Sequence, residues 1–285
     1  MEKSRTPSGD EQKERITVAT LRKMAAQGHP IAMLTCYDHP TALILASTGL
    51  HILLVGDSAA TTVLGEDSTT AATMEFMVPI TRAVRRGAPD LLLMADMPFA
   101  SYPDIPTAVA NALRFIREGG ADVIKMECDH RHINIVGAMA AAGIGVCAHL
   151  GLLPQRAIQE GGYKARGRTK DEADRIVHDA TLLAEVGAEL ILLEAVPDEV
   201  SRRVVAAVKC PVLGCGAGAS CHGHVVVLHD MLGLSGRTPR FVDKLADLPA
   251  VIDQAARAYV RAVEKREYPA ARHAYQMKQT SVTQD

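Results

Sequence analysis

The chain has 285 residues, of which 48% are hydrophobic and 22% charged, and its formal net charge is −2 at pH 7. This length suits one large α/β domain or two ordinary ones. The near-neutral charge gives no electrostatic basis for binding nucleic acid or an anionic membrane, and no apolar run reaches the roughly 18 residues of a membrane span. Residues 1–15 are charged and have no apolar core, so we expect a disordered leader there rather than a secretion signal.

The cysteines are scattered through the chain, at Cys36, Cys128, Cys147, Cys210, Cys215 and Cys221. In a chain of this length the pattern is typical of buried thiols in a cytoplasmic protein. Cys215 and Cys221 lie close to His222 and His224, which raises the alternative of a zinc site. Their spacing matches no standard structural zinc pattern, and the glycines between them indicate a loop instead.

Short apolar segments alternate with helical or loop segments from residue 31 onward. The predicted strands are 31–36, 51–58, 91–96, 122–127, 144–148, 190–194, 211–214 and 225–228. The predicted helices are 17–26, 39–48, 73–86, 107–118, 132–142, 169–186, 197–207 and 248–267. Two long connections, the threonine-rich segment 59–72 and the glycine-rich segment 149–167, are predicted to be functional loops.

This alternation is the pattern of a (β/α)₈ TIM barrel. An open doubly wound sheet is the alternative, but no Gly-x-Gly-x-x-Gly motif follows an early strand. Because no shift in composition marks a second domain, we expect a single barrel domain over residues 16–270 and a polar tail at 271–285.

Four of the predicted strands end in a carboxylate, namely Asp57, Asp96, Glu127 and Glu194. Parallel strands of a barrel end on one face, and that face carries the chemistry. Lys125 lies two residues before Glu127 and faces the same way, within an otherwise apolar strand. An unpaired ammonium there is costly, so Lys125 needs an anionic neighbour: one of these acids or a bound carboxylate. A purely structural ion pair in the barrel mouth is the alternative.

Three of these acids are candidate metal ligands, because carboxylates facing one cavity repel each other unless a cation joins them. Asp57, Asp96 and Glu127 come from three successive acid-bearing strands, and hard oxygen ligands favour Mg²⁺. Each acid taken alone could equally be a helix cap or a turn acceptor. Glu194 lies across the barrel and could remain free as a general base. His149 could act as a base, as a hydrogen-bond donor or as a support for the loop.

Two further segments carry weaker signals for binding an anion. The glycine loop at 214–218 could present backbone N–H groups, or it could be a tight barrel turn. Lys164, Arg166 and Arg168 could meet a polyanionic cosubstrate, or they could lie on an exposed basic loop.

A series of ordered motifs over about residues 16–275 resembles the ketopantoate hydroxymethyltransferase family. The motifs are MLTCYD at 33–38, VGDS at 55–58, RAVRRGAP at 82–89, ADMPF at 95–99, KME at 125–127, HLG at 149–151, PQ at 154–155, GGYK at 161–164, GAG at 216–218 and VLHDMLG at 227–233. The resemblance implies a phosphoenolpyruvate mutase-like barrel, a cytoplasmic homodecamer and a role in pantothenate and coenzyme A biosynthesis. It also implies Mg²⁺ and hydroxymethyl transfer from 5,10-methylenetetrahydrofolate to 3-methyl-2-oxobutanoate, giving 2-dehydropantoate.

The resemblance also implies roles for individual residues. The positions that correspond to metal ligands are Asp57, Asp96 and Glu127. The positions that correspond to contacts of the 2-oxo acid are Asp57, Ser58, Asp96 and Lys125. Glu194 corresponds to the proton acceptor, and the role of His149 stays open.

The chain departs from the family pattern beside these residues, at Ala59-Ala60, Cys128-Asp129, Ala148, Ala195 and His222-Gly-His224. These departures keep open a paralogue that acts on a different 2-oxo acid. A related Mg²⁺-dependent carbon–carbon lyase or mutase, which needs no folate, is a second alternative. A binding protein without turnover is a third, and the joint presence of the acids and Lys125 argues against it.

Overall fold

The computed structural model describes residues 14–236 and 238–277. Residues 1–13 of the predicted leader and 278–285 of the predicted tail lie outside this part of the chain. None of the helices among the described residues is both long and apolar enough to cross a membrane.

Eight parallel strands close into a barrel in sequence order, which confirms the predicted (β/α)₈ TIM barrel. The strands are β1 Ile31–Thr35, β2 Ile52–Val55, β3 Leu92–Asp96, β4 Val123–Glu127, β5 Gly145–Gly151, β6 Leu190–Glu194, β7 Val212–Cys215 and β8 Gly223–Val226. Strand β8 begins two residues before its predicted start and ends two residues before its predicted end. Gly223 pairs with Ile31 so closely that a Cβ atom would lie 2.3 Å from the Ile31 carbonyl oxygen. The glycine that resembles a loop signal is therefore required for strand pairing.

The eight predicted helices occur in the predicted order with shifts at their ends, and two short helices, α3 and α9, were not predicted. They are α1 Val18–Ala26, α2 His39–Leu45, α3 Ala59–Val63, α4 Met74–Gly87, α5 Ile105–Arg114, α6 Ile133–Ala141, α7 Lys170–Glu185, α8 Asp198–Ala207, α9 Leu228–Met231 and α10 Leu248–Glu264. Thr169 caps α7 through a bond from the Glu172 N–H to its hydroxyl. The Glu172 carboxylate accepts from the Arg168 N–H, which lies one residue before the cap.

The segment 59–72 is not the open loop that the sequence predicts. It begins with α3 and contains a 3₁₀ turn at Thr69–Ala71. Ala59 and Ala60 are fully buried, so the first turn of α3 packs into the core. The hydroxyls of Thr61 and Thr62 both donate to the Ser58 carbonyl, which lets these loop-favouring residues sit in a helix.

The barrel interior is packed with inward-facing aliphatic side chains from alternate strand positions. They include Ile52 and Leu54, Leu92 and Met94, Val123, Cys147, and Leu190 and Leu192. Leu21 of α1 is fully buried in the same cluster. Side chains two residues apart in a strand face the same way, so the next inward positions follow Met94, Val123, Cys147 and Leu192 by two residues. These next positions are polar: Asp96, Lys125, His149 and Glu194. The apolar core therefore ends in a layer of ionisable side chains at the carboxyl ends of the strands.

The chain divides into two compact units. One runs to Leu228 and takes in Pro239–Val242, and it contains the complete barrel. The other comprises His229–Thr238 and the segment from Asp243 onward, including α10. The predicted limits of a single domain over residues 16–270 stay a prediction.

Candidate active site

A buried ion pair forms the centre of the polar layer. Asp96 and Lys125 are register partners at the ends of β3 and β4, and the Lys125 Nζ donates to Asp96 Oδ2 at 2.5 Å. Both residues are almost completely buried. Burial raises the pKa of Asp96 to about 7 against the opposing effect of Lys125. Burial alone would lower the pKa of Lys125, but the charges of Asp96 and Asp57 outweigh it and raise that pKa. Lys125 is thus held as an ammonium, as its place in an apolar strand requires.

Asp57 lies next to this pair, just beyond the end of β2. Its backbone N–H donates to Asp96 Oδ2 at 3.3 Å, so one carboxylate oxygen accepts from both Asp57 and Lys125. The other contact to Asp57 comes from the Gln155 amide, whose Nε2 donates to Asp57 Oδ2 at 2.9 Å. Asp57 and Asp96, predicted to converge, are in direct hydrogen-bonding contact.

Glu127 is the last residue of β4 and is also buried. Its Oε1 accepts from the Gln155 backbone N–H at 2.8 Å. Burial raises the pKa of Glu127 to about 8, although that hydrogen bond and the charge of Lys125 lower it. Among the described residues, Glu127 Oε2 and Asp96 Oδ1 are buried oxygens with no hydrogen-bond partner. Buried carboxylate oxygens without a donor are costly, and a hard cation is one group that satisfies them.

The three acids predicted to share a metal are not assembled into a closed site. Among the described residues, no group of three or more His, Cys, Asp or Glu side chains is placed to hold a metal ion by itself. This arrangement still fits Mg²⁺, which usually takes one or two carboxylates and keeps several waters. Asp96 Oδ1 and Glu127 Oε2 are buried oxygens that have no hydrogen-bond partner among the described residues. Lys125 donates to Asp96 Oδ2, and Gln155 donates to Glu127 Oε1 and Asp57 Oδ2.

Glu194 ends β6 and stands apart from the ion pair. Its side chain lies close to His149 on β5, where 3.2 Å separates His149 Nε2 from Glu194 Oε2. That contact misses hydrogen-bond geometry, which leaves both His149 ring nitrogens without a hydrogen-bond partner among the described residues. Burial raises the pKa of Glu194 to about 7. Burial and the charge of Lys125 hold the pKa of His149 well below its usual value, so the imidazole is neutral. A carboxyl with this pKa and no charged partner can exchange protons near neutral pH.

Ser58 is tied to a buried tyrosine that the sequence argument did not single out. The hydroxyls of Tyr37 and Ser58 are 2.7 Å apart. Tyr37 is 4% exposed, and burial raises its pKa to about 12, so the phenol stays protonated at neutral pH. Tyr37 thereby fixes the orientation of the Ser58 hydroxyl beside Asp57.

The glycine-rich segment after β5 contacts two of the acids, Glu127 and Asp57, through Gln155. Its first turn, Pro154–Arg156, carries Gln155. Further along the loop, burial and the neighbouring charges of Asp57, Glu194 and Glu127 raise the pKa of Tyr163. This exposed tyrosine is therefore near enough to the acids to feel their negative charge. Arg166 forms an ion pair with Glu160 within the same loop, so it is already neutralised by its own segment.

Gln155 is the main functional candidate that sequence reasoning missed. It is 3% exposed and contacts Asp57, Glu127, the Met97 carbonyl and the Tyr102 hydroxyl. Its only sequence signal was its place in the PQ motif of the long loop. The contacts converge because the loop folds back over the strand ends, which residue type alone does not reveal.

The other weak predictions have structural explanations. In the glycine loop, Gly216 and Gly218 have positive φ angles, and added Cβ atoms would lie 2.5 Å and 2.4 Å from Phe241 and Asp198. Close packing therefore accounts for these two glycines. His222 accepts a hydrogen bond from the Val212 N–H at 3.0 Å, which ties its ring to the start of β7.

The profile of the ketopantoate hydroxymethyltransferase family matches residues 15–271. The 3-methyl-2-oxobutanoate hydroxymethyltransferase of Nitrosococcus oceani is 44% identical over 256 residues, which cover 90% of this chain and 97% of that protein. The chain belongs to the ketopantoate hydroxymethyltransferase family. The protein of the same name from Carboxydothermus hydrogenoformans is 41% identical over 266 residues, covering 93% and 96%. The sequence-based identification of the family is confirmed, and with it the assignment as a hydroxymethyltransferase.

Solved structures support the fold of this ketopantoate hydroxymethyltransferase family member. Phosphonopyruvate hydrolase in complex with oxalate and Mg²⁺ aligns with a TM-score of 0.60 at 15% identity, over 90% of this chain and 91% of that one. 2,3-Dimethylmalate lyase, a PEP mutase/isocitrate lyase superfamily member, aligns with a TM-score of 0.56 at 17% identity, over 87% and 86%. At these identities the alignments show a shared barrel fold and nothing about the reaction.

Proposed function

We propose that the chain transfers a hydroxymethyl group from 5,10-methylenetetrahydrofolate to 3-methyl-2-oxobutanoate, giving 2-dehydropantoate in pantothenate and coenzyme A biosynthesis. The observation that carries the proposal is that one polar layer holds both a buried positive charge and a separate carboxyl that can act as a base. A buried ammonium with adjacent carboxylates stands on β3 and β4, and a separate carboxyl with a pKa of about 7 stands on β6. Enolisation of a 2-oxo acid needs both positive charge at its oxygens and a base at its neighbouring carbon.

The 2-oxo acid is assigned to the group formed by Asp57, Ser58, Asp96 and Lys125. The Lys125 ammonium would attract the substrate carboxylate and the developing negative charge on the keto oxygen. The Ser58 hydroxyl, oriented by Tyr37, is the neutral donor on the other side of Asp57. Because Lys125 is held by Asp96, its position is fixed before substrate arrives.

We assign Mg²⁺ to Asp57, Asp96 and Glu127, which would hold it together with water. The free oxygens Asp96 Oδ1 and Glu127 Oε2 support this assignment. Bound Mg²⁺ would supply the positive charge that makes the proton on C3 of the substrate acidic enough for a carboxylate to remove. Gln155 donates to Asp57 Oδ2 and to Glu127 Oε1, so it limits how these two side chains turn.

Glu194 is assigned as the proton acceptor. A base with a pKa of about 7 is half ionised at neutral pH, which combines availability with proton affinity. His149 packs its neutral ring against the Glu194 carboxyl, which removes water from one side of the base without neutralising its charge. We assign His149 to this supporting role.

The bond changes follow from these placements. Glu194 removes the C3 proton, and C3 forms a new bond to the methylene carbon of the donor. Both carbon–nitrogen bonds to that carbon break, and water supplies the hydroxyl oxygen. The proton taken from C3 and one proton of that water go to the two nitrogens, and tetrahydrofolate leaves. No oxidant or reductant is needed, because the methylene carbon already has the oxidation state of formaldehyde.

Two alternatives remain to be separated by experiment. A paralogue of this family would use the same layer on a different 2-oxo acid, with Ala59-Ala60 and Cys128-Asp129 beside the site changing the fit. A lyase or mutase of the wider barrel group would need no folate. The solved barrels are only 15% and 17% identical to this chain, so they support this second alternative through the shared fold alone.

The proposal includes a cytoplasmic homodecamer. Helix α10 has no buried residue, and its exposed apolar side chains include Val251, Ile252, Tyr259 and Val263. Such an apolar helix face is typical of a contact between subunits. All six cysteines are free thiols, which agrees with a reducing compartment. Light scattering after gel filtration tests the assembly: we expect a ten-chain mass, and a monomer would contradict it.

Proton exchange tests the reaction directly. The protein is incubated with Mg²⁺ and 3-methyl-2-oxobutanoate in D₂O, and loss of the C3 proton is followed by NMR with and without tetrahydrofolate. We expect exchange in both cases, and formation of 2-dehydropantoate only when the methylene donor is present. Exchange of another 2-oxo acid, with none of this one, would establish the paralogue. Carbon–carbon cleavage without donor would establish the lyase.

Two substitutions then test the division of roles. Glu127→Gln should weaken the dependence on Mg²⁺ while leaving the base in place. Glu194→Gln should leave Mg²⁺ binding intact and slow exchange at least about a hundredfold, which is the usual contribution of a general base. An equal loss of Mg²⁺ affinity in both variants would contradict these assignments.

A further inference from the structure

The layer above the barrel core is charged on one side and apolar on the other. Leu213 of β7 and Val225 of β8 belong to the buried core cluster, and the next inward positions, two residues further on, are Cys215 and Val227. Because the barrel closes in sequence order, β7 and β8 stand opposite β3 and β4, which carry the buried ion pair. A ligand across the mouth of the barrel therefore meets charge at one end and small or apolar side chains at the other.

Cys215 stands directly beside the proposed base. Glu194 and Cys215 are register partners at the ends of β6 and β7, as are the inward-facing Leu192 and Leu213 below them. The Ala195 N–H donates to the Cys215 carbonyl oxygen at 2.9 Å, which holds the two strand ends together. Cys215 also packs against the core cluster, so its side chain points into the barrel. A substrate group that lies against the Glu194 carboxyl on this side therefore meets Cys215.

The two neighbours of Glu194 differ in the room that they leave. His149, on the β5 side, is fully buried, and its Nε2 lies 3.2 Å from the Glu194 carboxyl. Cys215, on the β7 side, is only half-buried, and so is Val227 after β8. The more accessible side of the base is therefore the apolar side of the layer.

The charged side fixes which end of a ligand it receives. Among the described residues, Asp96 Oδ1 on β3 and Glu127 Oε2 on β4 are buried oxygens without a hydrogen-bond partner, and the Lys125 ammonium lies between these strand ends. Such groups require polar or ionic partners. The polar end of a small acid is therefore directed toward β3 and β4, and its alkyl end toward β7 and β8.

We propose that Cys215 determines how large a substituent C3 of the 2-oxo acid can carry. The inference rests on the proposed function, because it takes Lys125 as the site of the charged end of the substrate and Glu194 as the base at C3. With the charged end on β3 and β4 and C3 at β6, the alkyl groups on C3 lie against Cys215. Burial of apolar surface favours these groups there.

The size limit follows from the small side chain of Cys215. Isoleucine at the same position would extend roughly two heavy atoms further, into the space that the C3 substituents occupy. Alanine would enlarge that space. Serine keeps the size and changes only the terminal atom, so the size and the chemistry of this side chain can be varied separately.

The ratio of C3 exchange rates for two substrates tests the inference. Exchange in D₂O with Mg²⁺ and without folate is followed by NMR, and kcat/KM is measured for 2-oxobutanoate, 3-methyl-2-oxobutanoate and 3-methyl-2-oxopentanoate, which differ only in the alkyl groups on C3. Because each ratio compares two substrates in one preparation, it does not depend on the fraction of protein that is folded. The variants are Cys215→Ile, Cys215→Ala and Cys215→Ser. The matched control is Cys210→Ala, which removes a buried thiol just before the other end of β7.

We expect Cys215→Ile to lower the ratio of 3-methyl-2-oxobutanoate to 2-oxobutanoate at least about tenfold, since one methylene in an apolar pocket changes kcat/KM about 10- to 200-fold. Cys215→Ala should raise the ratio of 3-methyl-2-oxopentanoate to 3-methyl-2-oxobutanoate. Cys215→Ser and Cys210→Ala should leave both ratios at their wild-type values. Unchanged ratios in Cys215→Ile and Cys215→Ala, or a shift in Cys215→Ser as large as that in Cys215→Ile, would overturn the inference. Wild-type protein that exchanges none of the three acids would instead overturn the proposed function.

Discussion

Replacing Glu194 by glutamine should stabilise the metal-free protein, and the gain should depend on pH. The pKa of Glu194 is raised from 4.5 to about 7 by burial, so the folded protein binds this proton more tightly than the unfolded chain does. Because burial raises this carboxyl pKa, ionising Glu194 destabilises the folded protein. The free energy of unfolding therefore falls as the pH rises from 4.5 through 7. A tenfold change in acidity is worth about 1.4 kcal/mol, so the ionised carboxylate costs about 3 kcal/mol at pH 8 and less than about 1 kcal/mol at pH 5. Glutamine keeps the shape and removes the charge.

Urea unfolding in EDTA at pH 5 and pH 8 measures this difference. We expect Glu194→Gln to unfold at a higher urea concentration than wild type at pH 8, and at nearly the same concentration at pH 5. Glu185→Gln, which removes an exposed carboxylate from the last turn of α7, is the control and should follow wild type at both pH values. A lower midpoint for Glu194→Gln at pH 8, or an equal gain at both pH values, would refute the claim that the base is a desolvated carboxyl.

Three other outcomes follow from the same geometry. The rate of C3 exchange should rise with pH and level off above about pH 7, as the carboxyl of Glu194 ionises; a rate that is flat from pH 5 to 8 would exclude it as the base. Gln155→Leu removes the donor to Asp57 Oδ2 and should weaken Mg²⁺ binding about 10- to 100-fold by calorimetry, whereas unchanged affinity would mean that this contact does not orient the ligand. Lys125→Met leaves Asp96 buried without its ammonium and should cost about 3–5 kcal/mol of unfolding free energy at pH 8, and less at pH 6, where Asp96 takes up a proton. Equal losses at both pH values would contradict a protonation of Asp96.

The barrel and the position of the four strand-end acids could be predicted because both depend on local patterns. A short apolar strand followed by an acid places that acid at the edge of the core in any parallel sheet. The apolar layers below, such as Met94 and Leu192, and the acids above, Asp96 and Glu194, follow directly from side-chain alternation along a strand. The ammonium at Lys125 was likewise predicted to need an anionic neighbour, and Asp96 is that neighbour.

Local patterns failed where a residue's role depends on distant packing. Gly223 resembles a loop residue but pairs with Ile31 in the barrel, because β1 approaches too closely for any side chain. The threonines of 59–72 resemble a loop, but Thr61 and Thr62 bond back to Ser58 in a short helix. In both cases the residue type is compatible with several structures, and the neighbouring elements select one of them.

The sequence by itself therefore determined which polar side chains meet at the carboxyl ends of the strands: acids at strand ends, one lysine between them and one histidine nearby. Only the tertiary structure decided which of these side chains pair with each other and which stay apart. Lys125 pairs with Asp96 and leaves Glu194 free beside a neutral His149, because strand register and burial set each distance and each pKa. The hub at Gln155 is likewise a product of the fold, since it joins residues that are far apart in the chain.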